Sequence, residues 1–239
     1  MREDPDGFAP EGLPAFLPEA ERLKARLRAM SYRQLKTLWR CSDAIARQNV
    51  ERLERMDLKA PLTAALLAYE GIQYRYMAPG VFETGELCYI REHLRILSGF
   101  YGLLRPFDGV APYRLEMQAP LAVDGCRDLY AFWGDRLALA LARETDTVLN
   151  LASREYSRAV EPHLPPSVSF LTCTFGELRG EKVVEKGTLC KMARGEMVRW
   201  LAVHGVTRPE ELPRFDGLGY RFSPERSGGN HLVFLRGGA

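Results

Sequence analysis

The C-terminal third of the chain carries the strongest constraint on its fold, because two hairpin-like stretches flank one long helical pattern. "VSFLTCTFGELRGEKVVEKG" contains two β-type runs about a glycine-containing turn, and "YRFSPERSGGNHLVFLR" repeats the arrangement with its turn at "SGGN". The intervening "TLCKMARGEMVRWLAVHG" has helical spacing and an end signal at Gly205. Its apolar positions lie on one helical face: Leu189, Ala193, Met197, Trp200 and Leu201. These elements predict a sheet flanked by helices.

Upstream, helical patterns alternate with short strand-like runs and show no regular βαβ period. Residues 1–18 hold four prolines and two glycines and are interpreted as an extended lead-in. The patterns predict helices over 19–30, 32–56 with Ser31 as its cap, 62–71, 85–97 with Thr84 as its cap, and 127–144. Residues 72–79 are predicted to be extended, and "TVLNL" is a strand followed by a short helix from Arg154. We therefore expect a single α/β domain of the mixed α+β type over residues 1–239, with a mixed sheet.

The bulk composition excludes several classes of protein. With 46% hydrophobic and 27% charged residues the sequence is that of a soluble globular chain, and no apolar run reaches the ~18–20 residues of a membrane-spanning helix. The N-terminus lacks a signal-peptide pattern, so a cytoplasmic location is expected. The five cysteines include no C-x-x-C pair, and the four histidines form no motif with them. Neither a metal site nor a cofactor is predicted.

The stretch "RILSGFYGLLRPFDGVAPYRLEM" stands out because glycines, prolines, aromatics and charges interrupt the preceding helical pattern. Gly99 and Gly102 bracket two aromatic residues, and freed N–H groups there could face a phosphate, as in the hairpin of a helix-hairpin-helix. The alternative is a glycine helix stop followed by a buried Phe100. The charged residues that follow either line a cleft or belong to a solvated loop: Arg105, Asp108, Arg114 and Glu116.

The "NLASREY" stretch places polar groups at a turn from a strand to a helix. A carboxylate and a phenol there, Glu155 and Tyr156, could do acid/base work on a bound nucleotide, with Asn150 beside them. A capped helix alone would require only Ser153. The sequence contains no G-x-S-x-G, Walker or G-x-G-x-x-G motif. No established catalytic signature is therefore available to decide between the two interpretations.

Five ordered motifs resemble the bacterial peroxide-stress protein YaaA family (UPF0246): "HLRILSGFYGLLRPFDGVAPYRLEM", "LYAFWGD", "VLNLASREY", "KMARGEMVRW" and "LGYRF…LVFLR". The resemblance covers residues 20–236. It implies one cytosolic domain with the mixed α/β cantaloupe fold, a positively charged cleft and a helix-hairpin-helix element. It also implies binding to duplex and branched DNA, a role in peroxide tolerance, and a link to lower free intracellular iron.

The resemblance and the residues themselves support two functional hypotheses from different classes. In the first, the protein binds DNA independently of sequence through a set of backbone amides and cations: Ser98, Gly99, Tyr101, Gly102, Arg105, Arg114, Lys191, Arg194 and Arg199. In the second, it is an enzyme that acts on a nucleotide, nucleobase or damaged DNA through chemically varied side chains: Tyr101, Glu116, Asn150, Glu155 and Tyr156. A third possibility is a scaffold in which these motifs are structural.

The sequence departs from the family pattern at two places. Met192 stands where the basic block often carries a second lysine. Family members usually open with an apolar strand and a Ser-Pro-Ala-Lys block, whereas this chain continues from Met1 with "REDPDGF". The expectation is that a strand is missing and that its sheet neighbour has an unpaired edge, which lowers stability or promotes self-association.

Overall fold

The computed structural model describes residues 1–4, 7–60 and 62–237 and divides the chain into two compact units. The first unit comprises Met1–Tyr69, Leu94–Glu144 and Ser153–Pro165, and the second comprises Glu70–His93, Thr145–Ala152 and Pro166–Ala239. Each unit is built from three separate chain segments. The expectation of one domain over residues 1–239 stays a prediction.

Three helices come first in the described chain, and helices and strands are mixed after them. The helices are α1 (Leu17–Arg28), α2 (Tyr32–Trp39), α3 (Asp43–Arg55), α4 (Ala65–Ala68), α5 (Ile72–Met77), α6 (Thr84–His93), α7 (Leu129–Trp133), α8 (Arg136–Ala142), α9 (Arg154–Ser157) and α10 (Gly187–His204). The strands are β1 (Thr63–Ala64), β2 (Ile96–Ser98), β3 (Gly102–Leu104), β4 (Gly109–Val110), β5 (Thr147–Asn150), β6 (Ser169–Arg179), β7 (Lys182–Val184), β8 (Tyr220–Phe222) and β9 (His231–Arg236).

The second unit contains a mixed sheet, which confirms the predicted fold class. Its order is β5-β6-β9-β8, in which β6 runs parallel to both β5 and β9 while β8 is antiparallel to β9. Strand β7 pairs with β6 as the predicted hairpin, and its turn contains Gly180 at φ 58°. The rings of Phe175 and Phe234, which face each other in the β6-β9 register, stack with centroids 5.4 Å apart.

Helix α10 has the predicted position and packs on α5 within the second unit. It ends at Gly205, which adopts the left-handed conformation that glycine tolerates best. At Gly195 the two helices approach so closely that a Cβ atom would lie 2.0 Å from the Gln73 carbonyl oxygen. The close packing of α5 on α10 therefore requires glycine, which has no Cβ atom, at position 195.

The first unit has its own apolar core and two short antiparallel strand pairs. Strand β1 pairs with β4, and β2 pairs with β3. Leu23 and Leu27 of α1 are buried as the helical spacing predicts. The largest fully buried side chains of this core are Trp133, Tyr101, Phe100 and Phe132.

Two predicted long helices are each divided in two. The helix predicted over 32–56 ends at Trp39, where Arg40 takes a left-handed φ of 45°, and Ser42 then caps α3. The helix predicted over 127–144 is broken at Gly134, with φ 53°. In both cases apolar residues continue at helical spacing across the break, so periodicity alone does not reveal it.

Other predicted boundaries also need correction. Residues 72–79, expected to be extended, contain α5, and the helix expected over 62–71 is limited to Ala65–Ala68. Thr84 is the first residue of α6 rather than its cap, and α6 ends at His93. The lead-in expected over 1–18 ends where α1 begins at Leu17, and its residues 5 and 6 lie outside the described residues.

Candidate functional site

The "SGFYG" block is the turn of a β-hairpin. Strands β2 and β3 pair antiparallel, with Ser98 opposite Gly102, and Gly102 has the positive φ of 74° that this turn needs. The Ser98 hydroxyl accepts the amides of Phe100 at 3.1 Å and Tyr101 at 2.8 Å. Because strands rather than helices flank the turn, the assignment of a helix-hairpin-helix to this block is wrong.

The hairpin tip is buried, so its backbone is not positioned to seat a DNA strand. Phe100 and Tyr101 are fully buried, and the Gly99 carbonyl accepts the indole N–H of Trp133 at 3.1 Å. A Cβ atom on Gly99 would lie 2.6 Å from the carbonyl oxygen of Leu115. The block therefore packs beneath the backbone at Leu115. This burial corrects the expectation that Ser98, Gly99, Tyr101 and Gly102 contact phosphate.

Tyr113 links this hairpin to a chain of hydroxyl groups. Its phenol oxygen lies 2.6 Å from the Ser98 hydroxyl and 2.7 Å from the Tyr69 hydroxyl, and its ring stacks on Phe100 with centroids 4.9 Å apart. Tyr101 packs edge-on against the same ring and directs its hydroxyl to the backbone of Ala111. Burial raises the pKa of Tyr101, so this candidate catalytic residue is a neutral core group.

Three of the other sequence-predicted residues come together beyond Tyr113. Tyr156 has its pKa raised first by burial and then by the nearby Tyr113, Glu155 and Glu116. The Glu155 carboxylate accepts the amide of Gln118 at 3.2 Å. Glu116, Glu155 and Tyr156 are thus neighbours although "LEM" and "NLASREY" are about forty positions apart in the chain.

Arg114 completes this group, which we call the Arg114 cluster and define as Arg114, Glu116, Glu155 and Tyr156. Arg114 Nη2 lies 3.2 Å from Glu116 Oε1 and 3.3 Å from the carbonyl oxygen of Trp39. The Glu116 side chain is 52% exposed and that of Arg114 is 32% exposed. With two carboxylates to one guanidinium, the cluster is not a positively charged surface.

The raised pKa of Tyr156 limits the chemistry of the cluster. A phenol that holds its proton more firmly than usual is a hydrogen-bond donor at neutral pH and a poor general base. A base in this group would have to be a carboxylate, Glu116 or Glu155. The cluster thus offers a phenolic O–H, a guanidinium and two acceptor groups.

Two buried donors near the cluster have no hydrogen-bond partner among the described residues: Arg114 Nε and Trp39 Nε1. The Trp39 side chain belongs to α2 and is 5% exposed. Trp39 lies among apolar residues at helical spacing in the sequence, which gives no sign of its place beside Arg114. Tyr69, bonded to Tyr113, was missed for the same reason.

Arg105 lies elsewhere in the first unit, in a charge network. Its guanidinium is 3.1 Å from the Glu144 carboxylate, which also accepts Arg95 Nε at 2.6 Å, and its amide donates to Asp108 at 2.8 Å. Burial alone would raise the pKa of Glu144, but the hydrogen bonds from Arg95 and Arg105 outweigh it and lower that pKa. The Arg105 side chain is 67% exposed, so a phosphate would compete with Glu144 for it.

The remaining candidates lie in the second unit. Asn150 is buried, accepts the amide of Ala152 at 3.1 Å and contacts Thr172, so it holds the turn after β5. Arg194 is 14% exposed, lies 3.7 Å from a Glu185 oxygen, and has a buried Nε that lacks a partner in the described part of the chain. Lys191 is exposed on α10, and Arg199 is half-buried.

The described residues contain no cluster of three or more His, Cys, Asp or Glu side chains that could hold a metal ion. Over residues 1–4, 7–60 and 62–237 there is also no helix with the length and hydropathy needed to cross a membrane.

Comparison with known proteins identifies the family. A family model described as peroxide stress protein YaaA matches residues 2–226. A UPF0246 protein of Lachnoclostridium phytofermentans is 50% identical over 226 residues, covering 95% of this chain and 89% of that protein. A UPF0246 protein of Desulfitobacterium hafniense is 48% identical over 236 residues, covering 99% and 94%. The extent and level of these matches show that the chain belongs to the peroxide stress protein YaaA (UPF0246) family.

Proposed function

We propose that this peroxide stress protein binds duplex and branched DNA in the cytoplasm, independently of sequence, and that this binding contributes to peroxide tolerance and to limiting free intracellular iron. The observation that carries the proposal is the exposed ammonium of Lys191 on α10, which has no carboxylate within ion-pair distance among the described residues. A surface cation that is in no ion pair can bind a phosphate directly, because no ion pair within the protein has to be broken first.

The contacts in this proposal come from separate cations and not from a helix-hairpin-helix. Lys191 is the principal contact, and Arg199, eight residues further along α10, is a second one in the same unit. Arg105 is a separate candidate contact of the first unit. Arg114 and Arg194 are more buried and each contacts a glutamate, so they contribute less to a phosphate interaction. Binding of this kind releases counterions and depends on DNA shape and charge instead of base sequence.

Fluorescence anisotropy with a labelled duplex over a salt series tests the proposal. Affinity should fall steeply with salt, and Lys191→Ala should make the slope of log K against log [salt] less negative by about one. Lys59→Ala, which removes an exposed lysine from the first unit, is the matched control and should leave the slope unchanged. Affinity that does not respond to salt, or identical slopes for the two variants, would refute the proposal.

A second candidate function, an enzyme or binding protein for a nucleotide or nucleobase, is favoured by the Arg114 cluster. Binding to a phosphate backbone does not require two carboxylates and a phenol beside an arginine. A thermal-shift screen with nucleosides and nucleotides tests this function. A shift that disappears in Glu116→Gln would support it, and the absence of any shift would leave DNA binding alone.

A further inference from the structure

The two unpartnered donors near the Arg114 cluster need an explanation. A buried N–H without a partner is destabilising, and most native proteins satisfy such groups with protein, water or ligand atoms. Arg114 Nε and Trp39 Nε1 are both buried and unpartnered among the described residues. They belong to adjacent residues, since Arg114 Nη2 lies 3.3 Å from the backbone carbonyl oxygen of Trp39. The orphan Nε of Arg114, beside the half-exposed Glu116, indicates a site for an acceptor.

The guanidinium geometry specifies what kind of acceptor fits. Nε and Nη2 form one edge of the planar group and can donate in parallel to two coplanar acceptors. At present Nη2 donates to a Glu116 oxygen at 3.2 Å and to the Trp39 carbonyl oxygen at 3.3 Å, whereas Nε has no partner among the described residues. Glu116 is half-exposed, so its side chain is free to turn away when another group takes its place.

The negative charges of Glu116 and Glu155 near this edge disfavour an anionic ligand. A phosphate or carboxylate would lie beside Glu116, with Glu155 close by, and like charges at this distance repel. A neutral ring with two adjacent acceptors does not meet this repulsion. Guanine has such an edge in O6 and N7, and its N1–H and N2–H₂ groups are donors that a carboxylate can accept.

We propose that the Arg114 cluster and Trp39 form a guanine-binding site, in which Arg114 Nε and Nη2 donate to N7 and O6. Glu116 leaves Arg114 and accepts from the donor edge of the base, and the adjacent Trp39 supplies a second buried N–H that the ligand can satisfy. The site rests on the second candidate function and names its ligand class. It does not involve Lys191 or any other contact of the DNA-binding proposal.

Isothermal titration of the full chain with guanosine, adenosine and inorganic phosphate tests this site. Guanosine should bind about tenfold or more tightly than adenosine, because adenine presents a donor where guanine presents O6. Arg114→Lys keeps the charge but loses the parallel edge and should weaken guanosine binding by about tenfold or more. Arg127→Lys is the matched control at an 89% exposed arginine and should change the affinity less than about twofold.

Trp39→Phe gives an independent measurement because it removes the indole N–H and keeps an aromatic ring. It should weaken guanosine binding and reduce the tryptophan fluorescence change that accompanies it. Circular dichroism melting of each variant tests whether it is folded. If one of these variants does not fold, Glu116→Ala is used in its place. Loss of the Glu116 carboxylate should strengthen the binding of inorganic phosphate relative to that of guanosine.

The possible results separate this site from the functions proposed above. Phosphate binding as tight as guanosine binding, or guanosine binding unaffected by Arg114→Lys, overturns the guanine site. A different nucleotide that still binds Arg114→Lys preserves the second candidate function and also overturns this site. Lys191→Ala should bind guanosine normally, so loss of salt-dependent duplex binding in that variant bears only on the DNA proposal.

Discussion

At the scale of single residues, the Ser98 hydroxyl holds the turn of the β2-β3 hairpin in place. It accepts two buried amides of the hairpin turn and shares a hydrogen bond with Tyr113. Ser98 was predicted to contact phosphate because it belongs to the "SGFYG" block that matches the family motif. The long-range partners that bury it, Trp133 and Leu115, could not be recognised from local spacing.

Replacing this hydroxyl should therefore cost stability. Ser98→Ala leaves the amides of Phe100 and Tyr101 buried without an acceptor, which corresponds to a loss of about 2–3 kcal/mol in the free energy of unfolding. Urea denaturation measures this loss. Ser167→Ala, at an exposed serine, is the control and should change the free energy by less than about 0.5 kcal/mol. Equal stabilities of the two variants would contradict the account of the hairpin.

A second prediction at this scale concerns Glu144. Its folded-state pKa is lowered, so its ion pairs with Arg95 and Arg105 stabilise the protein above its unfolded-state pKa and are lost as pH falls through the folded-state value. Glu144→Gln should destabilise the protein by about 1 kcal/mol at pH 7. The difference from the parent protein should shrink as pH falls below about 4.

The pH series needs a matched control. Glu210→Gln, at an exposed glutamate, should be close to neutral over the same pH range. Thermal melts from pH 7 to pH 3 compare the parent protein with both variants. A deficit in Glu144→Gln that does not change with pH would show that the stabilisation is not ionic.

At the scale of elements, the sequence succeeded where a turn or cap has its own local chemistry. Both C-terminal hairpins and the end of α10 were predicted because Gly180, Gly205 and Gly229 allow a left-handed backbone. It failed where packing decides the conformation. Residues 72–79 were predicted to be extended before Pro79, but α5 forms there and packs against Gly195 of α10, which is distant in the chain.

The contact at Gly195 gives a sharp prediction about this helix pair. Gly195→Ala places a methyl group 2.0 Å from a backbone oxygen of Gln73, so the helices must separate. The expected loss is about 2–3 kcal/mol, despite the higher helix propensity of alanine. Gly187→Ala lies in the same helix with no atom within 4 Å and should be neutral or stabilising. Chemical denaturation of both variants measures the contrast.

At the scale of the whole molecule, the residues of the Arg114 cluster were predicted in part. The sequence selected Glu116, Glu155 and Tyr156 for their chemical variety and Arg114 as a phosphate contact, and the fold brings the four together. It did not select Trp39, because an aromatic residue on an apolar helical face carries no sign of what its N–H group contacts. The basic candidates were chosen by their charge and by the resemblance to family motifs, and neither reveals that Arg194 is 14% exposed and lies beside Glu185.

The distribution of cysteines predicts how the whole protein reacts with peroxide. Burial raises the pKa of Cys173 to about 12 and of Cys190 to about 11, so both remain thiols at physiological pH, whereas peroxide attacks thiolates. Cys88 is exposed. Mass spectrometry after a peroxide pulse should find Cys88 oxidised well before Cys173 or Cys190. Early oxidation of the buried pair would contradict the described environments.

The division of each unit into three chain segments has a consequence for synthesis on the ribosome. Helix α5 emerges early, but its packing partner α10 begins roughly 110 residues later, which at ~5–20 residues per second corresponds to about 5–20 s. During that interval α5, whose Met77 is buried in the folded protein, lacks the helix that it packs against. We therefore expect the second unit to complete its packing only after the last third of the chain has been translated.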